Sequence, residues 1–154
     1  MSIEDDIVFF ERVPTLALLG RPALRILAIG AENRYVHSGE VLFKAGDQAD
    51  AGFVVQEGSF SLAPPASVGN QAVAVGPGTL LGELALLTDT TRPVTATAVE
   101  PATVLRIPRT LFLKMLEGFP DAAGRLRDEF AHRTDQSTRD MYAIRRVLDI
   151  PAER

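Results

Sequence analysis

The stretch from Arg34 to Ile107 never goes far without Gly, Pro, Asn or Asp, and this punctuation limits the fold more than any other feature. Between the breaks lie only short apolar or alternating runs: Tyr35–His37, Val41–Phe43, Phe53–Val55, Phe60–Leu62, Ala72–Val75, Val94–Val99 and Val104–Ile107. None is long enough for a helix, and their close spacing predicts an antiparallel sandwich or barrel. The residues 64–70, PPASVGN, read as a hairpin loop, and Gly76-Pro77-Gly78 as a further turn.

On either side the apolar period becomes helical. Before the strands, Ile7, Phe10, Val13, Leu24, Ile26, Leu27 and Ile29 fall at helical spacing, with Pro14 and Gly20-Arg21-Pro22 dividing residues 1–31 into short helices. After them, Leu111, Phe112, Met115 and Leu116 mark one short helix ending near Gly118. Pro120 and Asp121 open a second, predicted to run to about Leu148. Along it Phe130, Thr134, Ser137, Met141, Ile144 and Leu148 recur at steps of four and three, a heptad-like seam with two polar members. The expected architecture is therefore α+β. An antiparallel β-barrel or jelly roll over 32–108 is flanked by N-terminal helices over 1–31 and by hinge and long C-terminal helices over 109–150, all in one stand-alone unit of 154 residues.

Charge and composition narrow the function. A net charge of −4, and helix faces that mix Arg125, Arg127 and Arg133 with Asp128, Glu129 and Asp135, give no basic patch for nucleic acid or an anionic membrane. The N-terminus carries Glu4, Asp5 and Asp6 where a secretory signal is basic, and no apolar run approaches the roughly 20 residues of a membrane span, so a cytoplasmic location is expected. Without cysteine there is no thiolate chemistry, and the two histidines, His37 and His132, are too few and too far apart for a metal centre or a nucleophile–base pair. Catalysis and a bound metal are not expected.

The residues that suggest chemistry lie in LGELALLTDTTRPVTAT, residues 81–97. Gly82 permits close backbone approach, Glu83 offers a carboxylate, Leu84–Leu87 can form one apolar turn whose leading N–H groups attract an anion, and Arg92 supplies a cation. A small ligand with both a hydroxyl and a phosphate would satisfy all of these.

With GEVLFKAGD at 39–47, FVVQEG at 53–58, GPGTLLGELALL at 76–87, and Arg92 with Thr95, the chain resembles the cyclic nucleotide-binding domain family over about Val13 to Met141. The resemblance implies that residues 81–97 are a phosphate-binding cassette. Glu83 would accept from the ribose 2′-hydroxyl, Arg92 would pair with the cyclic phosphate, and the N–H groups around Gly82, Leu84 and Ala85 would complete the cradle. Losing Arg92 would strand a phosphate charge, at about 3–5 kcal/mol. By motif position Phe43, Leu62, Val73 and Val75 would contact base and ribose, although a core residue and a pocket wall look alike in sequence. Ser137 and Thr138 match a hydroxyl pair with which dimeric bacterial members hold adenine across the subunit seam; a polar stretch of surface helix reads the same way.

One departure stands out. The residue after the cassette arginine is usually Ala, Ser or Thr, and here it is Pro93, which has no N–H to donate. One neutral donor is worth about 0.5–1.5 kcal/mol, so affinity would fall by about tenfold at most. The hydroxyl that guanine-preferring relatives place there is also missing, which favours cyclic AMP over cyclic GMP. The resemblance thus implies a regulatory module that senses cyclic AMP and signals to an effector protein through its C-terminal helices; the seam residues Phe130, Met141, Ile144 and Leu148 suit either a two-fold homodimer or, in a monomer, folding back on the barrel. The alternatives are an interaction protein of the same fold that has lost nucleotide binding, or the sensor fragment of a transcription regulator.

Overall fold

The computed structural model describes residues 2–65 and 72–131. Helix α1 (Ile3–Phe10) starts where the sequence caps it. The Ser2 hydroxyl accepts from the Asp5 N–H at 3.1 Å and the Asp5 carboxylate accepts from the Ser2 N–H, while Glu4, Asp5 and Asp6 lie in the first turn, where the helix dipole favours anions. A single turn, α2 (Pro14–Ala17), follows, with Pro14 at a position where no N–H is needed. Gly20, at φ +88°, then turns the chain into α3 (Arg21–Gly30).

Among the described residues ten short strands follow: β1 (Glu32–Val36), β2 (Val41–Phe43), β3 (Gln48–Ala49), β4 (Ala51–Glu57), β5 (Phe60–Ala63), β6 (Val73–Val75), β7 (Leu80–Leu81), β8 (Thr90–Thr91), β9 (Thr95–Ala98) and β10 (Ala102–Pro108). A 3₁₀ turn, Leu84–Leu86, separates β7 from β8. The chain ends its described part with α4 (Arg109–Gly118) and α5, described over Pro120–Ala131.

All pairings are antiparallel, in one sheet of order β1-β10-β4-β7, a second of order β2-β9-β5-β6, and the small ladder β3-β8. The expected barrel is thus a jelly-roll-like pair of facing sheets rather than one closed cylinder. Strand β1 lies beside β10, with Glu32 opposite Arg106 and Val36 opposite Ala102.

Strand β4 shows why the sequence lacks simple alternation here: it is covered on both faces. Phe53 and Val55 point into the core between the sheets with Phe43, Phe60 and Val104. Val54 points the other way and joins Leu105 and Ile107 against Leu16 and Leu24 of the N-terminal helices and Phe112, Met115, Leu126 and Phe130 of the C-terminal ones. Both helical ends of the chain therefore pack on one face of one sheet. At the estimated 25 cal/mol per Å² for apolar burial, each of these fully buried side chains contributes on the order of 1.5–3 kcal/mol.

Every apolar run read from the sequence overlaps a strand, and the helix breaks fall at Pro14 and Gly20–Pro22. The pairs β3, β7 and β8 were not anticipated, because a two-residue strand carries no period. The remainder of the predicted long helix, with Ser137, Thr138, Met141, Ile144, Leu148 and His132, lies outside the described residues, as do residues 66–70 of the predicted hairpin loop. The dimer seam is therefore represented only by Phe130, which is buried within its own chain.

Candidate functional site

A cavity of about 480 Å³ opens where the 3₁₀ turn, the β3-β8 ladder and the ends of β2 and β5 converge, a size that suits a small-molecule ligand. Gly82, Glu83, Leu84, Ala85, Arg92, Pro93, Phe43 and Leu62 all line it, so residues far apart in sequence are brought to one place. Val73 and Val75 do not. Strand β6 is the edge of its sheet; Val73 is 59% exposed, and Val75 packs against the inter-sheet core opposite Phe60. Alternation gave those valines a common face but not their distance from the pocket.

Arg92 is only 6% exposed although it carries a charge. Its backbone is pinned on both sides: its N–H donates to Asp47 O and its carbonyl accepts from Gly46 N–H, each at 2.8 Å. The side chain then turns inward. Its guanidinium carbon lies 4.3 Å from the centre of the Phe43 ring and 5.5 Å from that of Phe53, and those two rings are themselves stacked. Nη2 donates to Ala51 O at 2.8 Å. Nε and Nη1 have no partner, and among the described residues they are the buried side-chain nitrogen and oxygen atoms left unsatisfied. Burial pushes the guanidinium pKa down from its ordinary value. The Asp50 and Asp47 carboxylates act against that shift, and the Arg106 charge adds to it. A buried cation with two unpaired nitrogens, carrying three N–H groups, at the wall of a cavity has the chemistry to receive an anion.

Gly82 gives room to the arginine as folded. It sits at φ +83°, and a Cβ there would collide with Arg92 Nη1 and lie 3.3 Å from Ala51 O. The expected helical turn is a single 3₁₀ turn, closed by Ala85 N–H to Gly82 O (3.0 Å), Leu86 N–H to Glu83 O (3.1 Å) and Leu87 N–H to Leu84 O (3.0 Å). The Ala85 N–H, expected in the cradle, is thereby already committed, because a 3₁₀ turn uses i+3 donors from its first residues. Leu86 and Leu87 anchor the turn in the helical core, and Gly52 lets Leu86 approach: a Cβ at 52 would lie 3.0 Å from the Leu86 side chain.

Two polar residues that sequence reasoning missed hold the turn in place. The Thr15 hydroxyl, on α2, donates to Glu83 Oε2. Arg109, the first residue of α4, donates through Nη1 to Ala49 O (3.0 Å), Thr88 O (3.1 Å) and Ala85 O (3.3 Å), and through Nη2 to Asp89 Oδ1 (3.0 Å). Arg109 did leave a signal in the sequence: a cation in the first turn of a helix opposes the dipole, so it calls for local acceptors. Thr15 left none. Thr90, Thr91 and Ala49, also at the cavity, were missed because they belong to the two-residue strands.

His37 is an exposed surface residue beside Glu40, at 3.2 Å, and takes no part in the cavity. Among the described residues no group of three or more His, Asp or Glu side chains is placed to hold a metal, and no helix is long and apolar enough to cross a membrane.

Comparison with known proteins places this arrangement. The profile of the cyclic nucleotide-binding domain matches residues 33–119, which contain the whole cavity. A lysophospholipase nte1 of Neurospora crassa is 34% identical over 88 residues, covering 56% of this chain but only 6% of the lysophospholipase. Among solved structures, a cyclic nucleotide-binding-like protein from Brucella abortus is 36% identical, with a TM-score of 0.66 over 73% of this chain and 98% of the other. The N-terminal domain of a transcriptional regulator from Streptomyces coelicolor is 28% identical, with a TM-score of 0.73 over 81% and 89% of the two chains.

Proposed function

The chain belongs to the cyclic nucleotide-binding domain family, and on that premise we propose that its cavity takes one cyclic nucleotide, cyclic AMP in preference to cyclic GMP. The observation that carries this reading is Arg92, buried at the cavity wall with Nε and Nη1 unpaired. A singly charged phosphodiester supplies the missing acceptors, and Arg92 meets it with donors in a fixed planar fork. Glu83 at the start of the 3₁₀ turn accepts from the ribose 2′-hydroxyl, while Phe43 and Leu62 give the apolar side of the pocket. Phe43 has a second task under this reading, since its ring also supports the guanidinium.

In this proposal residues 1–154 act as one cytoplasmic sensor module. Binding draws the cassette onto the phosphate, and α4 and α5 carry the change to an effector protein through the surface of the C-terminal helices, with Ser137 and Thr138 reaching adenine. Arg109 supports that route, because it joins the first turn of α4 directly to the carbonyls of Ala85 and Thr88. A ligand shifts such an equilibrium only through differential contacts, and Arg92 and Glu83 supply them.

Pro93 favours a second reading, an interaction protein that keeps the fold without the ligand, since it lines the cavity without an N–H to offer. Calorimetric titration with cyclic AMP and cyclic GMP separates the two. The sensor reading expects binding, tighter for cyclic AMP; no heat of binding for either nucleotide at about 100 μM, a weak affinity, selects the second.

A further inference from the structure

Glu83 and Thr15 are 68 residues apart in sequence, and their hydrogen bond joins the cavity to the N-terminal helices. Thr15 is almost wholly buried, and the one-turn helix that carries it, though exposed at Pro14 and Ala17, is anchored through its inner face and its end. Leu16 and Leu19 are sunk in the helical core. Ala17 N–H donates to Val13 O at 2.8 Å and Leu19 N–H to Leu16 O at 3.0 Å. At the far end of the turn Arg125 of α5 donates from Nε to Leu18 O at 2.5 Å and from Nη2 to Leu19 O at 3.2 Å. The hydroxyl is therefore held in place by the fold and not by the cavity.

A glutamate has three side-chain torsions, and ordering them when a ligand arrives opposes binding. A fixed donor on one carboxylate oxygen sets both the reach and the plane of the group beforehand. We propose that Thr15 is a positioning residue, whose hydroxyl pre-orders the Glu83 carboxylate for a ligand hydroxyl and so sets the preference for a ribose over a 2′-deoxyribose ring. This rests on the cyclic nucleotide reading above and adds to it a determinant outside residues 81–97.

The test is the affinity of wild type, Thr15→Val and Thr15→Ser for cyclic AMP and for its 2′-deoxy analogue, by calorimetry. Val keeps the size and branching of Thr and removes only the hydroxyl; Ser keeps the hydroxyl. Wild type is expected to prefer cyclic AMP. Thr15→Val is expected to lose about tenfold in affinity for cyclic AMP, a hydrogen bond's worth, and to change by less than about twofold for the analogue. Thr15→Ser is expected to behave as wild type. An equal loss for both ligands in Thr15→Val makes the contact merely structural and overturns the proposal, as does unchanged or tighter binding of cyclic AMP. A wild type that binds cyclic AMP without preferring it to the analogue overturns the proposal while leaving the sensor reading standing. A wild type that binds neither overturns the sensor reading itself, and this proposal with it. If Thr15→Val does not fold, Thr15→Ala provides the same comparison between the two ligands.

Discussion

Replacing Arg92 by Met is expected to stabilise the protein without ligand and to abolish its response to cyclic AMP. The two buried nitrogens without partners, Nε and Nη1, each cost about 1–3 kcal/mol, and taking the charge out of water adds several more. Against this the substitution gives up the bond from Nη2 to Ala51 O, about 1.5–3 kcal/mol, and the contacts with the Phe43 and Phe53 rings, roughly 1 kcal/mol. Met is close in length, leaves no polar group unpaired, and places sulfur over the same two rings. Even at the low end of these ranges the balance is a gain of about 1 kcal/mol, which for a chain of 154 residues raises the melting temperature by at least about 2–4 °C. The assay is thermal unfolding with and without cyclic AMP at about one hundred times its Kd, a concentration that stabilises a binding protein by about 2.7 kcal/mol. Wild type should melt higher with the nucleotide; Arg92→Met should melt at one temperature in both. A variant that melts more than about 3 °C below wild type in the absence of nucleotide would refute the reasoning, because the guanidinium would then be satisfied by the fold alone. A variant that keeps the ligand shift would refute the placement of the phosphate.

Other perturbations probe the supports of the site. Pro93→Ala returns an N–H beside the arginine, and titration should show cyclic AMP binding tighter by up to about tenfold. Gly82→Ala sets a Cβ against Arg92 Nη1 at a backbone angle of +83°, so chemical denaturation should show a loss of about 1–2 kcal/mol, and calorimetry a much weakened ligand response. Arg109→Ala removes the donor shared by the carbonyls of Ala49, Ala85 and Thr88; a loss of about 1.5–3 kcal/mol is expected, with faster amide exchange at residues 85–92. Burial pushes the Asp6 carboxyl above its ordinary pKa and the Asp5 charge adds to this, while the N-terminal amine and the hydrogen bond from Gln56 oppose it. The native state therefore holds its proton at pH values where the unfolded chain has released it. Stability from this group is present below the unfolded pKa and falls as pH rises through the folded one. Asp6→Asn should accordingly melt above wild type at pH 7, with the difference shrinking as pH is lowered toward about 4, near the unfolded pKa.

The sequence disclosed those parts of the site whose chemistry is written in residue type. A carboxylate and an arginine beside a glycine, in a chain otherwise poor in convergent polar groups, marked Glu83 and Arg92, and both line the cavity. It disclosed the strands wherever apolar runs met turn residues. It was silent on β3, β7 and β8, whose two residues hold no pattern, although the β3-β8 ladder carries the chain into Arg92. It could not show that Gly82 makes room for a guanidinium, since that depends on where a side chain ten positions on is folded back. Nor could it find Thr15, because one hydroxyl in a one-turn helix gains meaning only when packing brings it to a carboxylate. Val73 is the opposite case: its pattern is clear, but its position at the sheet edge, outside the cavity lining, is a property of the tertiary fold.

The neighbouring of β1 and β10 has a consequence for how such a unit travels between proteins. Because Glu32 faces Arg106 across a pair of hydrogen-bonded strands, the chain enters and leaves the sheet region at adjoining points. A segment whose two ends meet can be spliced into a longer host by bridging only a narrow gap, with little strain on either side. The same geometry sets α3 and α4 close together, so the helices that cover Val54, Leu105 and Ile107 meet the sheet side by side.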